Sequence, residues 1–468
     1  INGGAVTTSG TQTYNDAVTV GSTGMSTNLS GTTVTFNDTV DDATADTEAL
    51  TITGNAVFGD GAGDFVGSTN RLASLTVTGT TVFNTAGDSA NDATVETNGN
   101  QDYQGNVTVA ADVVLASQNS GIINVGGTIN GDGVAPRDLT INTAGLTQLD
   151  GATVGTPNAL NNLITDDPNA VPAQRGGITE LSGNFTTELN QTFNDAVELT
   201  GDVIMTSTMT GDLTFNSTLD ADTTAANRTL ALNTAGITNF NGVVGGEGDA
   251  GGGELESLTT DSTSAPGMGP GTTNINTTAI TTNGSTMTFN DAVVLMMDTT
   301  ITETDSGAIT FNNTVDSDSG MSFNLNVNST GGGLTNFNDD VGVTDAINNL
   351  TTDAAGTTNI ADGVTITTDT DQTYNDQVLA TNATLNGANI TAIDATNDFM
   401  GTTSVNATGN ATITDANAFD FGMSTIDGNL VLIATGDVTD SGDVVVTGMT
   451  TITTMGDVIL DNAGTDLG

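Results

Sequence analysis

The chain has 468 residues, of which 56 are acidic and four are basic, giving a formal net charge of −52, with neither His nor Cys. A surface this negative repels nucleic acid phosphates and anionic membranes, and the missing Cys exclude a disulfide framework and a thiolate metal site. Only 4% of residues are aromatic and 59 are Gly, so the chain cannot fill a thick globular core, although 35% hydrophobic residues suffice for a thin one.

A short phrase sets the organisation. Thr13-Tyr14-Asn15-Asp16-Ala17-Val18 returns as Thr35-Phe36-Asn37-Asp38-Thr39-Val40. It recurs at Phe193-Asn194, Phe215-Asn216, Phe289-Asn290, Phe311-Asn312 and Tyr374-Asn375. Alternate residues of a strand share a face, so Val34 and Phe36 point inward together while Thr33 and Thr35 face water. A straight continuation would carry Asp38 into the interior, where an unpaired carboxylate costs several kcal/mol, so the strand is expected to turn at Asn-Asp. Each phrase therefore reads as strand, corner, strand. Tyr14, Phe36, Phe193, Phe215, Phe289, Phe311 and Tyr374 supply the interior, with the Tyr hydroxyls reaching toward the corner. Asn15, Asn37, Asn194, Asn216, Asn290, Asn312 and Asn375 form an amide ladder from coil to coil.

Along the chain the period has two levels. Tyr14 to Phe36, Phe193 to Phe215 and Phe289 to Phe311 are each 22 residues apart, the length of one turn of a β-solenoid. Tyr14, Tyr103, Phe193, Phe289 and Tyr374 follow one another at 89, 90, 96 and 85 residues. The fold expected is all-β: an elongated parallel β-helix of about 20 coils of about 22 residues, grouped in units of about 90. Residues 1–380 form its regular part, in large repeats of about 1–82, 83–177, 178–274 and 275–359 with a fifth starting at 360. Residues 381–468 continue it with shorter coils, in segments that open on Gly-Asp or Gly-Asn. Gly- and Asp-rich insertions at 41–48, 59–70, 166–177, 245–254 and 264–271 fall at junctions and hold four of the six Pro residues. Ile1 matches Ile275 and Ile360 within a repeat, so any export signal or anchor is expected outside these residues.

The acidic residues offer material for calcium binding and for glycan hydrolysis. Gly59-Asp60-Gly61-Ala62-Gly63-Asp64 and Gly245-Gly246-Glu247-Gly248-Asp249 partly match the Gly-rich nonapeptide that binds calcium through Asp and backbone oxygens, which makes Asp60, Asp64, Glu247 and Asp249 the calcium candidates. Neither stretch repeats in tandem, and no cofactor is required. Carboxylates are abundant enough for a glycan hydrolase, whereas a lyase lacks its basic residues. The Asn-Asp pairs recur at equal positions, however, and an active site is singular, so no catalytic residue is assigned. Arg137 and Arg228 sit 91 residues apart, at equal places in the large unit, and are expected to pair with neighbouring acids.

The Gln-Thr-Tyr-Asn-Asp-Ala-Val opening, the Asn-Thr-Ala-Gly and Leu-Thr-Thr-Asp-Ala modules and Gly456-Asp457-Val458-Ile459-Leu460 resemble the strand-repeat regions of large bacterial surface proteins, similar to filamentous-haemagglutinin-like adhesins and autotransporter passengers. The resemblance spans nearly the whole chain and is closer before 380 than after. It implies a right-handed parallel β-helix on the cell exterior and carries no catalytic residues. The resulting expectation is a non-enzymatic extracellular stalk or adhesive fibre of an exported bacterial protein. Its partners would be a surface glycan or receptor, or copies of itself end to end in a filament, sheath or surface lattice. Neither nucleic acid nor direct membrane insertion is expected. The rival from another class is a glycan-active β-helix enzyme.

Overall fold

The computed structural model describes residues 1–21, 25–87, 93–151, 153–223, 228–246, 253–261, 269 and 271–468. These residues fall into two compact units, one running to Asn241 and the other from Gly242 onward. Both units are parallel β-solenoids, and the chain as a whole makes about 20 turns at about 22-residue spacing. The one helical segment among the described residues is the turn Pro172–Gln174. No helix of the described residues is long and apolar enough to cross a membrane.

In the first unit a representative coil carries the strands Gln101–Tyr103, Val107–Val109 and Val113–Ser117. Each pairs in parallel with its counterpart one coil on, at Ile123–Val125, Ile129–Gly131 and Leu139–Thr143. The recurring phrases stack in the register their spacing demands. Tyr14 lies opposite Phe36, Phe36 opposite Phe58, and Phe193 opposite Phe215. Val, Ile, Thr and aromatic residues suit this pleated lattice, and period-two alternation sends every second one inward.

The second unit repeats the plan. Its strands Ala411–Asp415, Phe419–Phe421 and Ser424–Ile426 pair with Leu430–Ala434, Val438–Asp440 and Val444–Val446. Phe289 lies opposite Phe311, and Phe311 opposite Phe337. The separation between hydrogen-bonded Asn residues of successive coils is 22 residues at Asn290–Asn312, and it falls to 19 at Asn410–Asn429.

The interior of each unit is a narrow column. Tyr14, Phe36 and Phe58 stack with ring centroids 5.3 and 5.6 Å apart, Phe193, Phe215 and Phe240 at 5.5 and 5.8 Å, and Phe289, Phe311 and Phe337 at 5.3 and 5.4 Å. Each buried ring contributes about 1.5–3 kcal/mol of transfer free energy. Where the strand Ala49–Phe58 bends, Gly54 adopts φ +127°, and a Cβ there would sit 1.9 Å from the carbonyl oxygen of Gly31 one coil below. Only Gly allows coils to pack so closely at that bend.

Candidate functional site

The corner is the feature that recurs, so the site is built from it. The amide of Asn37 donates to Asn15 Oδ1 at 3.0 Å. Asn216 donates to Asn194 at 2.7 Å, Asn241 to Asn216 at 2.8 Å, Asn312 to Asn290 at 2.7 Å and Asn338 to Asn312 at 2.7 Å. Asn194, Asn290 and Asn375 instead donate to the carbonyl oxygens of Thr165, Thr260 and Thr352 at 2.9, 2.8 and 2.7 Å. These donors are thus occupied by the neighbouring coil.

A second column, of turn residues, runs beside the strand starts in the second unit. Asn349 Oδ1 accepts from the backbone N–H of Asp371, Asn389 from Asn410, Asn410 from Asn429, and Asn429 from Met449, at 2.9 Å in each case. Asp298 does the same for Asn324, and Asp371 for Asn389. Acids and amides here satisfy backbone donors that the turns leave without a ladder partner.

The rings bring a partner with them. Gln12, Gln101 and Gln372 lie two residues before Tyr14, Tyr103 and Tyr374, on the same inward face, and each Tyr hydroxyl donates to the Gln Oε1 at 2.9, 2.9 and 3.0 Å. The hydroxyls therefore turn back along their own strand and do not reach the corner. The Gln amides bind carbonyl oxygens on two sides: Gln101 Nε2 donates to Val95 O and Ala116 O, and Gln372 Nε2 to Ile366 O and Asn386 O. Gln191 keeps these amide bonds, but Phe193 offers no hydroxyl and Gln191 Oε1 is buried without a partner.

The acid of the phrase departs from expectation. The sequence predicts an acid kept out of the core; in three repeats it is inside, with Asp195, Asp291 and Asp376 only 4%, 1% and 2% exposed. Burial is tolerated because two Thr hydroxyls clamp each carboxylate. Thr165 and Thr179 donate to Asp195 at 2.7 Å each, Thr260 and Thr273 donate to Asp291, and Thr352 and Thr358 donate to Asp376 at 2.6 and 2.9 Å. Burial pushes all three carboxyls above the usual aspartate range, and the Thr bonds partly offset it. Asp16, in contrast, is exposed.

A further aspartate stands beside each clamp. Asp166, 2% exposed, accepts from Thr143 N at 2.9 Å; burial, reinforced by the charge of Asp195, pushes it up to about 8. Asp261 raises Asp291 and Asp353 raises Asp376 in the same way, each after the larger effect of burial.

Of the calcium candidates, Asp64 Oδ2 accepts from the backbone N–H groups of Asp60 and Gly61 at 3.0 and 2.9 Å, closing its own loop, and Asp60 is exposed. Glu247 and Asp249 lie outside the described residues. Among the described residues no three or more Asp or Glu side chains are gathered as a metal ion would require. Arg228 makes a two-pronged contact with Asp222 at 2.9 Å, and Arg71 a similar one with Asp46 at 3.1 Å. Asp132 is lowered first by the N–H of Val134 and also by nearby Arg137.

Two open grooves cross the strands. One, of about 540 Å³, is lined by Thr76, Asn100, Asp102, Asn124 and Gln148, with Asp102 tied to Gln104 and Asn124 at 2.8 and 2.7 Å. The other, of about 330 Å³, has the stacked amides Asn386 and Asn406 along with Asp369 and Asp427. No aromatic ring lines either groove.

Fold and corner together define a repeat-rich β-helix protein whose recurring polar groups join coil to coil. A family described as repeats of unknown function (DUF5649) matches residues 408–468, within the part where the coils shorten. No curated protein and no solved structure matches the chain.

Proposed function

We propose that the chain is a non-enzymatic structural protein of the bacterial cell exterior, a stalk or adhesive fibre segment. The observation that carries this reading is the repetition of the corner: Asn, Gln and Asp side chains that could do chemistry recur at equivalent positions and are bonded to adjacent strands. Such a lattice resists deformation because moving one coil breaks many hydrogen bonds together. The absence of Cys and the strongly acidic composition suit an exported chain that stays dispersed outside the cell.

The test is made on cells that produce the protein. Protease added outside intact cells should remove the chain, and antibody-labelled electron microscopy should find it on surface projections, showing also whether copies join end to end. A chain protected from external protease until lysis would sink the reading. The enzymatic rival is tested at the groove holding Asp369 and Asp427: glycan hydrolysis by the purified chain that disappears in D369N or D427N would replace the structural role with a catalytic one.

A further inference from the structure

Each clamped aspartate comes with the same accompanying residues. Three repeats contain a Thr at the strand end, an Asp directly after it, a second Thr following a glycine, and the buried corner Asp: Thr165, Asp166, Thr179 and Asp195; Thr260, Asp261, Thr273 and Asp291; Thr352, Asp353, Thr358 and Asp376. In the repeat around Tyr103 the corresponding residues are Val77, Thr78, Thr81 and Gly105. Both acids are gone there, and the retained Thr81 hydroxyl is buried with no partner. The hydroxyls thus serve the carboxylate, and the unit is the set.

We propose that these three sets form a proton-operated lock, which tightens the solenoid as its surroundings acidify and loosens it as they turn alkaline. The lock does not depend on whether the chain serves as a stalk. In the first set the charge of the corner carboxylate of Asp195 acts on Asp166, both of them buried, and Arg175 is the nearby cation acting on Asp166. In the second the charge of Asp261 acts on buried Asp291, and in the third that of Asp353 acts on buried Asp376, whose own charge adds to burial in raising the phenol of Tyr374. Each set holds two carboxyls, and where the pair shares a sealed interior, a proton relieves both the desolvation and the mutual repulsion.

The direction follows from linkage. A carboxyl that binds its proton more tightly folded than unfolded adds stability as pH falls from its folded value toward the ordinary aspartate value, and takes stability away as pH rises. For Asp166 that window runs from about 8 downward. Below it the opposite class takes over. Asp222, lowered by its bond to Arg228, and Asp394, lowered by Thr396, lose their contribution once they are protonated.

The experiment is a series of thermal melts of the whole chain from pH 9 to pH 6 in high salt, which screens the general repulsion of surface carboxylates while leaving sealed pairs nearly untouched. The unmutated chain should melt at higher temperature as pH falls and should release roughly one proton or more on unfolding at pH 7. Asp166→Asn retains an acceptor for Thr143 N and tolerates the positive φ of this position, yet cannot titrate. It should flatten the pH dependence and remove about one released proton. Asp16→Asn, on an exposed corner, should leave both unchanged. A D166N slope equal to that of the unmutated chain would overturn the lock. Should D166N fail to fold, proton release by the unmutated chain, measured calorimetrically in two buffers of different ionisation enthalpy, decides: zero release or net uptake overturns it.

Discussion

Phe193→Tyr should make this protein more stable, and Tyr103→Phe less stable, through the same hydrogen bond. In the Tyr103 repeat the phenol and Gln101 are fully buried, with the hydroxyl 2.9 Å from Gln101 Oε1. Its removal leaves a sealed acceptor unpaired and costs about 1–2 kcal/mol. In the Phe193 repeat that orphaned acceptor already exists at Gln191, and Phe193 stacks on Phe215 at 5.5 Å and 10°, much as Tyr14 stacks on Phe36 at 5.3 Å and 13°. A new hydroxyl meets the waiting oxygen and gains about 1 kcal/mol. A unit of this size shifts its melting temperature by about 2–4 °C per kcal/mol, so the two substitutions should separate by several degrees in opposite directions. Urea titration at fixed pH is the second readout, with the midpoint moving and the slope constant. The repeat at Phe289 provides the control: Met287 occupies the Gln position, so Phe289→Tyr would bury a hydroxyl without that acceptor and should destabilise. A stabilising Phe289→Tyr, or a destabilising Phe193→Tyr with Tyr103→Phe neutral, would refute the pairing of Gln with Tyr.

Three other outcomes are expected. Asn216→Ala breaks bonds to Asn194 and Asn241 at an exposed corner and should cost about 1–2 kcal/mol in denaturant titration, whereas Ala at exposed Asp16 should cost less than about 0.5 kcal/mol. Gly54→Ala drives a methyl group into the Gly31 carbonyl oxygen at a positive φ and should lower stability by more than about 3 kcal/mol, seen as proteolytic nicking of the first unit under native conditions. Chelator should leave the melting temperature unchanged, because Asp64 closes its loop with backbone N–H groups; a fall that calcium restores would assign a metal-binding role to the acidic loops.

The architecture was legible because a β-solenoid writes its period into the sequence: rings 22 residues apart must either stack or waste their burial, and Phe193 and Phe215 stack. The Gln–Tyr pairing left a signal that went unread, since period two places Gln101 and Tyr103 on one face. Burial of Asp195 left none nearby. Its partners Thr165 and Thr179 precede it by 30 and 16 residues, and only the fold makes them neighbours. A bare buried carboxylate is untenable, and the two hydroxyls that make this one tenable lie too far along the chain to be read beside it.

The turn column from Asn349 to Met449 has a direction. In every link the acceptor belongs to the earlier coil and the donor to the later one, so a finished coil offers its successor a row of oxygens already in place. Each coil is both product and template, and the interface it presents resembles the one it received. Length in such a protein is therefore countable: whole coils can be added or deleted with little new chemistry at the joint, while the loss of part of a coil puts every later side chain out of step.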